Sequence, residues 1–136
     1  MGNDNISVEK EIFLDTNICL ISKTDENGII SFVNDEFCNI TGYDMDEIIG
    51  KTHNILRHQD MPSSVFNELW QTLKIGDMWT GFIKNKTKSG DFFWVYATIY
   101  PCTNHFGIKE YIAYRGKALE FEIEQIKILH NSDFYK

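Results

Sequence analysis

Residues 18–33 form two short runs of apolar and β-branched side chains on either side of Asp25-Glu26-Asn27-Gly28. Asn27 and Gly28 adopt positive φ at little cost, so this pattern predicts a β-hairpin. Asn34-Asp35 then offers a helix cap, Phe37, Cys38, Ile40 and Thr41 follow at helical spacing, and Gly42 provides a stop. Asp44 or Asp46 can cap a second short turn that carries Ile48 and Ile49 and ends at Gly50. From Pro62 the periodicity lengthens. Ser63 or Ser64 can cap, and Val65, Phe66, Leu69, Trp70 and Leu73 share one face of an amphipathic helix that Gly76 closes. Three strands are expected after it, over Met78 to Lys84, Phe92 to Tyr100 and Tyr111 to Tyr114. Their turns fall at Lys88-Ser89-Gly90-Asp91 and Asn104-His105-Phe106-Gly107. In the tail, Glu120 to His130, the apolar residues Phe121, Ile123, Ile126, Ile128 and Leu129 recur at largely helical spacing. Acids come early and Lys127 and His130 late, which suits the helix dipole.

The order β-β, short helices, one longer helix, β-β-β predicts an α+β domain. Its simplest packing is one five-stranded antiparallel sheet with the central helices over its concave face and a small-molecule pocket between the layers. The chain of 136 residues, 43% apolar and 14% aromatic, can supply one such core without cross-links. Its net charge of −7 and the lack of a lysine-arginine cluster argue against nucleic acid or an anionic membrane as partner. Cys19, Cys38 and Cys102 are odd in number and scattered, and no apolar run approaches the ~20 residues of a membrane span. Reduced thiols in a soluble cytoplasmic domain are the expectation, with no zinc site and no export signal in Met1 to Lys10.

Gly28 to Asn34, Phe37, Ile40-Thr41-Gly42-Tyr43 and Glu47-Ile48-Ile49-Gly50-Lys51 resemble the general pattern of PAS sensory domains. A narrower match starts at His53-Asn54-Ile55-Leu56-Arg57-His58-Gln59-Asp60-Met61-Pro62 and passes through Phe66, Leu69-Trp70, Leu73, Gly76, Trp79 and Gly81. It continues through Lys84 to Val95. This spelling is similar to the PAS domain of bacterial aerotaxis receptors and covers roughly residues 17–119. The resemblance implies a PAS fold at residues 17–119, an N-terminal cap segment at 1–16 and a C-terminal helix or tail at 120–136. It also implies non-covalent binding of FAD, whose redox state would be passed to a chemoreceptor signalling domain or another chemotaxis protein.

FAD needs a cationic or amide-rich end for its pyrophosphate and an aromatic wall for its ring. By resemblance, Arg57, His58 and Asp60 would hold the cofactor, with His53 nearby, Trp79 as the wall, and Asn34 and Asn85 offering amides to the ring edge. Each has a plainer account. Arg57 and Asp60 could form an i, i+3 surface ion pair, and His58 could be a loop histidine without a task. Trp79 beside Gly81 leans towards ligand contact, while Trp94 reads as core.

Light-oxygen-voltage domains also bind flavin on this fold, but they need a cysteine after Gly50-Lys51, and residues 52–58 hold none. Haem is the stronger competitor, with His53, His58 or His105 as ligand. A cofactor-free PAS interaction module is the third reading. No phosphate loop, nucleophile elbow, HExxH or kinase signature appears, so no catalytic role is expected. With neither a membrane segment nor a methyl-accepting coiled coil, the chain is expected to be a sensory fragment or a stand-alone domain serving a separate, membrane-attached receptor. A homodimer is allowed. The segment around Ile12-Phe13-Leu14 and the tail helix would meet the partner, or else cap the sheet.

Overall fold

The computed structural model describes residues 8–131. Of the expected cap segment and tail, residues 1–7 and 132–136 lie outside the described residues. The expected hairpin is present as β1 (Leu20–Thr24) and β2 (Ile30–Val33). Helix α1 (Asp35–Thr41) follows, with Asn34 as its N-cap. Gly42 ends it at φ 82°, a left-handed conformation that an L side chain would adopt only with strain. Helix α2 (Met45–Ile48) starts at Asp44, whose backbone N–H donates to the Glu47 carboxylate at 2.9 Å.

A 3-10 turn over His53–Leu56 was not legible in the periodicity, because four residues carry too little pattern. Helix α3 (Ser63–Lys74) buries Val65, Leu69 and Leu73. Its N-cap is Pro62 and not a serine, so no side chain caps its first turn. Ser63 instead accepts a hydrogen bond from Arg57. Strands β3 (Trp79–Lys86), β4 (Phe92–Thr103) and β5 (Lys109–Lys117) each run beyond the expected limits, and α4 (Glu120–His130) closes the described chain.

The fold is α+β, with one sheet in the order β2-β1-β5-β4-β3 and every pair antiparallel. The period of two sorts side chains between its faces. Leu20, Ser22 and Thr24 of β1, Ile83 and Asn85 of β3, Val95, Ala97 and Ile99 of β4, and Tyr111, Ala113 and Arg115 of β5 turn inward under α1, α3 and the 3-10 turn. The fully buried Phe37, Leu56 and Leu73 close on them. Each such apolar side chain contributes roughly 1.5–3 kcal/mol by leaving water.

On the opposite face, Trp94 is buried as a core residue, as its sequence position suggests, and its ring stacks on His130 of α4. The N-terminal segment is stitched to the β3–β4 hairpin. Phe92 donates its N–H to Lys10 and accepts from the Ile12 N–H at 2.8 Å, and the Lys10 N–H donates to the Asp91 carboxylate.

Candidate functional site

Between α3 and the inner face of the sheet lies a cavity of about 220 Å³. Phe66, Leu69, Trp70 and Leu73 of α3 form one wall, and Ile83, Ile99, Tyr111 and Ala113 of the sheet form the other. Trp70 meets Tyr111 edge to face at 5.6 Å, which gives the cavity an aromatic boundary. The polar lining comes from Ser22, Thr24, Asn27, Asn54, Asn85, the 3-10 turn and Arg115. Two arginines, Arg57 and Arg115, line it with no carboxylate among the described lining residues, although the chain as a whole carries −7.

Local backbone pairing explains how the motif loop reaches this space. The His53 N–H donates to the Gly28 carbonyl and the Ile30 N–H to that of Lys51, which lays the 3-10 turn against the β1–β2 turn. At the other end Arg57 forms an isolated antiparallel bridge with Asn85, fastening the loop to the edge strand β3.

At the floor, Arg115 is 4% exposed. Its Nη1 donates to Ser22 Oγ at 3.0 Å, its Nη2 lies 3.2 Å from His53 Nε2, and its guanidinium sits over the Phe37 ring. Burial pushes the guanidinium down to about 10, which leaves it charged at neutral pH. Ser22 Oγ lies 3.0 Å from the same His53 nitrogen. Arginine can only donate, so Nε2 accepts and the imidazole proton sits on Nδ1. Burial first and the Arg115 charge second hold His53 well below its ordinary 6.5, so the ring is neutral. His53 thus faces the cavity as a neutral ring beside a fixed cation.

The residues expected at the site divide. His53, Arg57 and Asn85 line the cavity. Arg57 is half-buried, bonds Ser63 at 3.3 Å and stacks on Phe66, and it makes no ion pair with Asp60. Asn85 is 5% exposed, and its side-chain amide makes no hydrogen bond to any described residue. Of the two amides singled out in the sequence, it is the one that lines the cavity and keeps its hydrogen-bonding groups free of the described chain.

Asn34, His58, Asp60 and Trp79 are not among the lining residues. Asn34 is committed to the backbone: its oxygen accepts from Ile21 and Phe37, and its nitrogen donates to the Cys19 carbonyl. His58, 3% exposed, accepts the Asp60 N–H on Nδ1, so its Nε2 donates to Glu9 of the N-terminal segment. Asp60 pairs with Lys84 at 2.8 Å, which lowers its pKa. Trp79 donates to Glu68 at 3.3 Å, and its indole lies where a side chain at Gly81 would stand, 2.6 Å from an added Cβ. The close neighbour that Gly81 makes room for is Trp79 itself.

Arg115 and Ser22 were not singled out in the sequence. Carrying the alternation of Tyr111 and Ala113 two residues further puts an arginine on the core face, where a charge is rare enough to be a signal.

The comparisons with known proteins agree on the fold. A family model described as the PAS fold matches residues 30–113. The aerotaxis receptor of Escherichia coli (strain K12) is 38% identical over 113 residues, 83% of this chain and 22% of that protein. The nitrogen fixation regulatory protein of Klebsiella pneumoniae is 30% identical over 107 residues, 77% of this chain and 22% of its own length. The chain thus spans about a fifth of these relatives. Among solved structures, the dark state of the blue-light photoreceptor Aureochrome1 LOV superposes with a TM-score of 0.69 at 20% identity, covering 82% of this chain and 84% of that one.

Proposed function

The chain belongs to the PAS family, and on that footing we propose that it is a redox sensor domain that holds FAD non-covalently. Its redox state would reach a chemotaxis signalling partner, in line with the aerotaxis receptor it resembles. The observation that carries the reading is the cavity itself. Its walls are apolar and aromatic, its charged lining is cationic among the described residues, and Asn85 lines it with an amide that no described residue hydrogen-bonds.

The cofactor fits that chemistry in parts. A flat heteroaromatic ring with alternating donors and acceptors along one edge suits the Asn85 amide, which can give and accept at once. A space of about 220 Å³ is below the ~300–1,000 Å³ of pockets that enclose whole drug-sized ligands. The cavity would therefore hold the ring, and the half-exposed Arg57, whose fork of donors suits phosphates, would hold the pyrophosphate end. When bound, the flavin supplies reversible storage of electrons. The chain's own groups orient it, exclude water and keep a cation at its floor, and no catalytic step is assigned to them.

Haem is disfavoured by the same geometry. The Nε2 of His53 is taken up by Ser22 and Arg115 beside a fixed positive charge, His58 has both ring nitrogens engaged outside the cavity, and His105 lies exposed in the β4–β5 turn.

Signal transfer needs few steps. Asn85 pairs in register with Phe93, whose neighbour Phe92 carries the backbone bonds to Lys10 and Ile12. Rearrangement of the Asn85 amide on reduction would then bias how the N-terminal segment sits, by a coupling of ~1–3 kcal/mol. No helix among the described residues is long and apolar enough to cross a membrane. We place the domain in the cytoplasm, with any attachment to the membrane made through a receptor partner or the rest of a longer chain.

Hydrogen exchange on oxidised and dithionite-reduced protein, kept anaerobic, tests the sensor function. Protection should differ over residues 78–100 and in the N-terminal segment. Identical protection outside the cavity in both states would mean that the domain stores electrons without reporting them.

A further inference from the structure

An arginine this deeply buried ordinarily lies against a carboxylate. Arg115 does not. Among the described residues no carboxylate pairs with it, and its two hydrogen-bond partners, Ser22 and the neutral His53, bring no negative charge. The groups packed around it can be named from each element. Strand β1 brings Ser22 and, just before it, the Cys19 thiol; α1 brings the Phe37 ring; the 3-10 turn brings His53. The only other charged lining residue among those described is also a cation, Arg57. A fixed charge left uncompensated at the floor of a cavity selects for a ligand that carries, or can acquire, negative charge beside it.

This rests on the flavin reading above and deepens it: we propose that Arg115 sets the charge of the reduced cofactor, holding the ring as a monoanion. In the reduction considered, the oxidised ring takes two electrons from dithionite, which is oxidised to sulfite. A ring that also takes two protons from water stays neutral, whereas one that takes a single proton is left with one negative charge. The guanidinium favours the second outcome by direct attraction. His53 cannot supply the missing proton from Nε2, because that nitrogen is the acceptor of the Ser22 and Arg115 bonds.

The test is the two-electron midpoint potential as a function of pH, read by spectroelectrochemistry on the FAD-loaded protein and on free FAD in the same buffer. For a two-electron couple each tenfold change in proton concentration moves the potential by about 30 mV per proton taken up. The slope is thus about 60 mV per pH unit while two protons enter and about 30 mV where one does. The break between these slopes should lie at least tenfold lower in proton affinity, about one pH unit more acidic, in the protein than in free FAD. Arg115→Gln should return the break to the free-FAD position or above it, and Arg115→Lys, which keeps the charge, should leave it displaced. Where Arg115→Gln fails to hold flavin, the wild-type break and that of Arg115→Lys decide the matter between them. FAD bound with an unshifted wild-type break, or a break that ignores the loss of charge, overturns the role of Arg115 and leaves FAD binding intact. Protein that takes up no FAD at all overturns both.

Discussion

The loop from His53 to Pro62 presents different chemistry to its two sides. On the inner side His53 and Arg57 face a cavity whose charged lining, among the described residues, is cationic and which Asn85 lines with an amide that no described residue hydrogen-bonds. On the outer side His58 and Asp60 are fully engaged, one with Glu9 and the other with Lys84, in contacts that hold the N-terminal segment and the β3 edge together. Of the inner groups, His53 and Arg57 have partners, but the Asn85 amide has none and Arg115 has no counter-charge among the described residues, which a ligand could supply. The outer groups are satisfied by the chain. A motif of ten residues thus combines cavity lining and fastening, and residue type alone does not separate the two. His53 and His58 are five positions apart and serve different sides.

The sharpest break of this comparison comes from Arg57→Ala. Loss of its charge-assisted bonds to a phosphate should weaken FAD binding roughly 10–100-fold, about 1.5–3 kcal/mol, in an equilibrium titration. The same substitution should cost the apo fold under ~1 kcal/mol, since its present partners are the exposed Ser63 and one face of Phe66.

Next in size is a pH effect confined to the inner side. The unfolded chain takes up a proton on His53 near 6.5, while the folded chain resists until the pH lies well below that value. Stability is therefore complete above pH 6.5 and falls as the pH drops beneath it, by up to about 1.4 kcal/mol per pH unit for this one proton. Denaturant melts of His53→Gln should lose most of that slope. His130, also lowered by its burial, retains a smaller slope of the same sign.

Asn85→Leu comes third. It should weaken FAD binding ~2–10-fold through the loss of one or two neutral hydrogen bonds. The apo melting temperature should hold or rise, because no partner is left stranded. A large fall in apo stability would place Asn85 with the fastening groups.

His58→Ala should change FAD affinity least, by under about twofold. Its effect belongs to the other side. Amide exchange at Ile12 and Phe92 should quicken as the Glu9 contact is lost, while Ala97 in the sheet interior keeps its protection. A tenfold loss of FAD affinity here would erase the distinction between the two faces.

Local chemistry made the fold legible. Asn34 and Gly42 bracket α1 as their side-chain and backbone preferences require, Asp44 starts α2, and the spacing of Val65, Leu69 and Leu73 gives α3. Strand ends were less legible, since β5 continues past Tyr114 through residues that carry no β preference of their own and owe their place to pairing with β1 and β4. That shortfall hid Arg115. The division of the motif was hidden for another reason: whether a histidine or an asparagine turns to a cavity or to a neighbouring backbone depends on contacts distant in sequence, as with Glu9 on His58 or the Cys19 carbonyl on Asn34.

Titration of the apo protein with FAD, followed by absorption and by acid extraction of the bound pigment, tests the central claim most directly. The account predicts saturation at one FAD per chain, with the dinucleotide recovered intact. A protein that stays colourless in excess FAD, or that carries a Soret band in place of flavin bands, would contradict it.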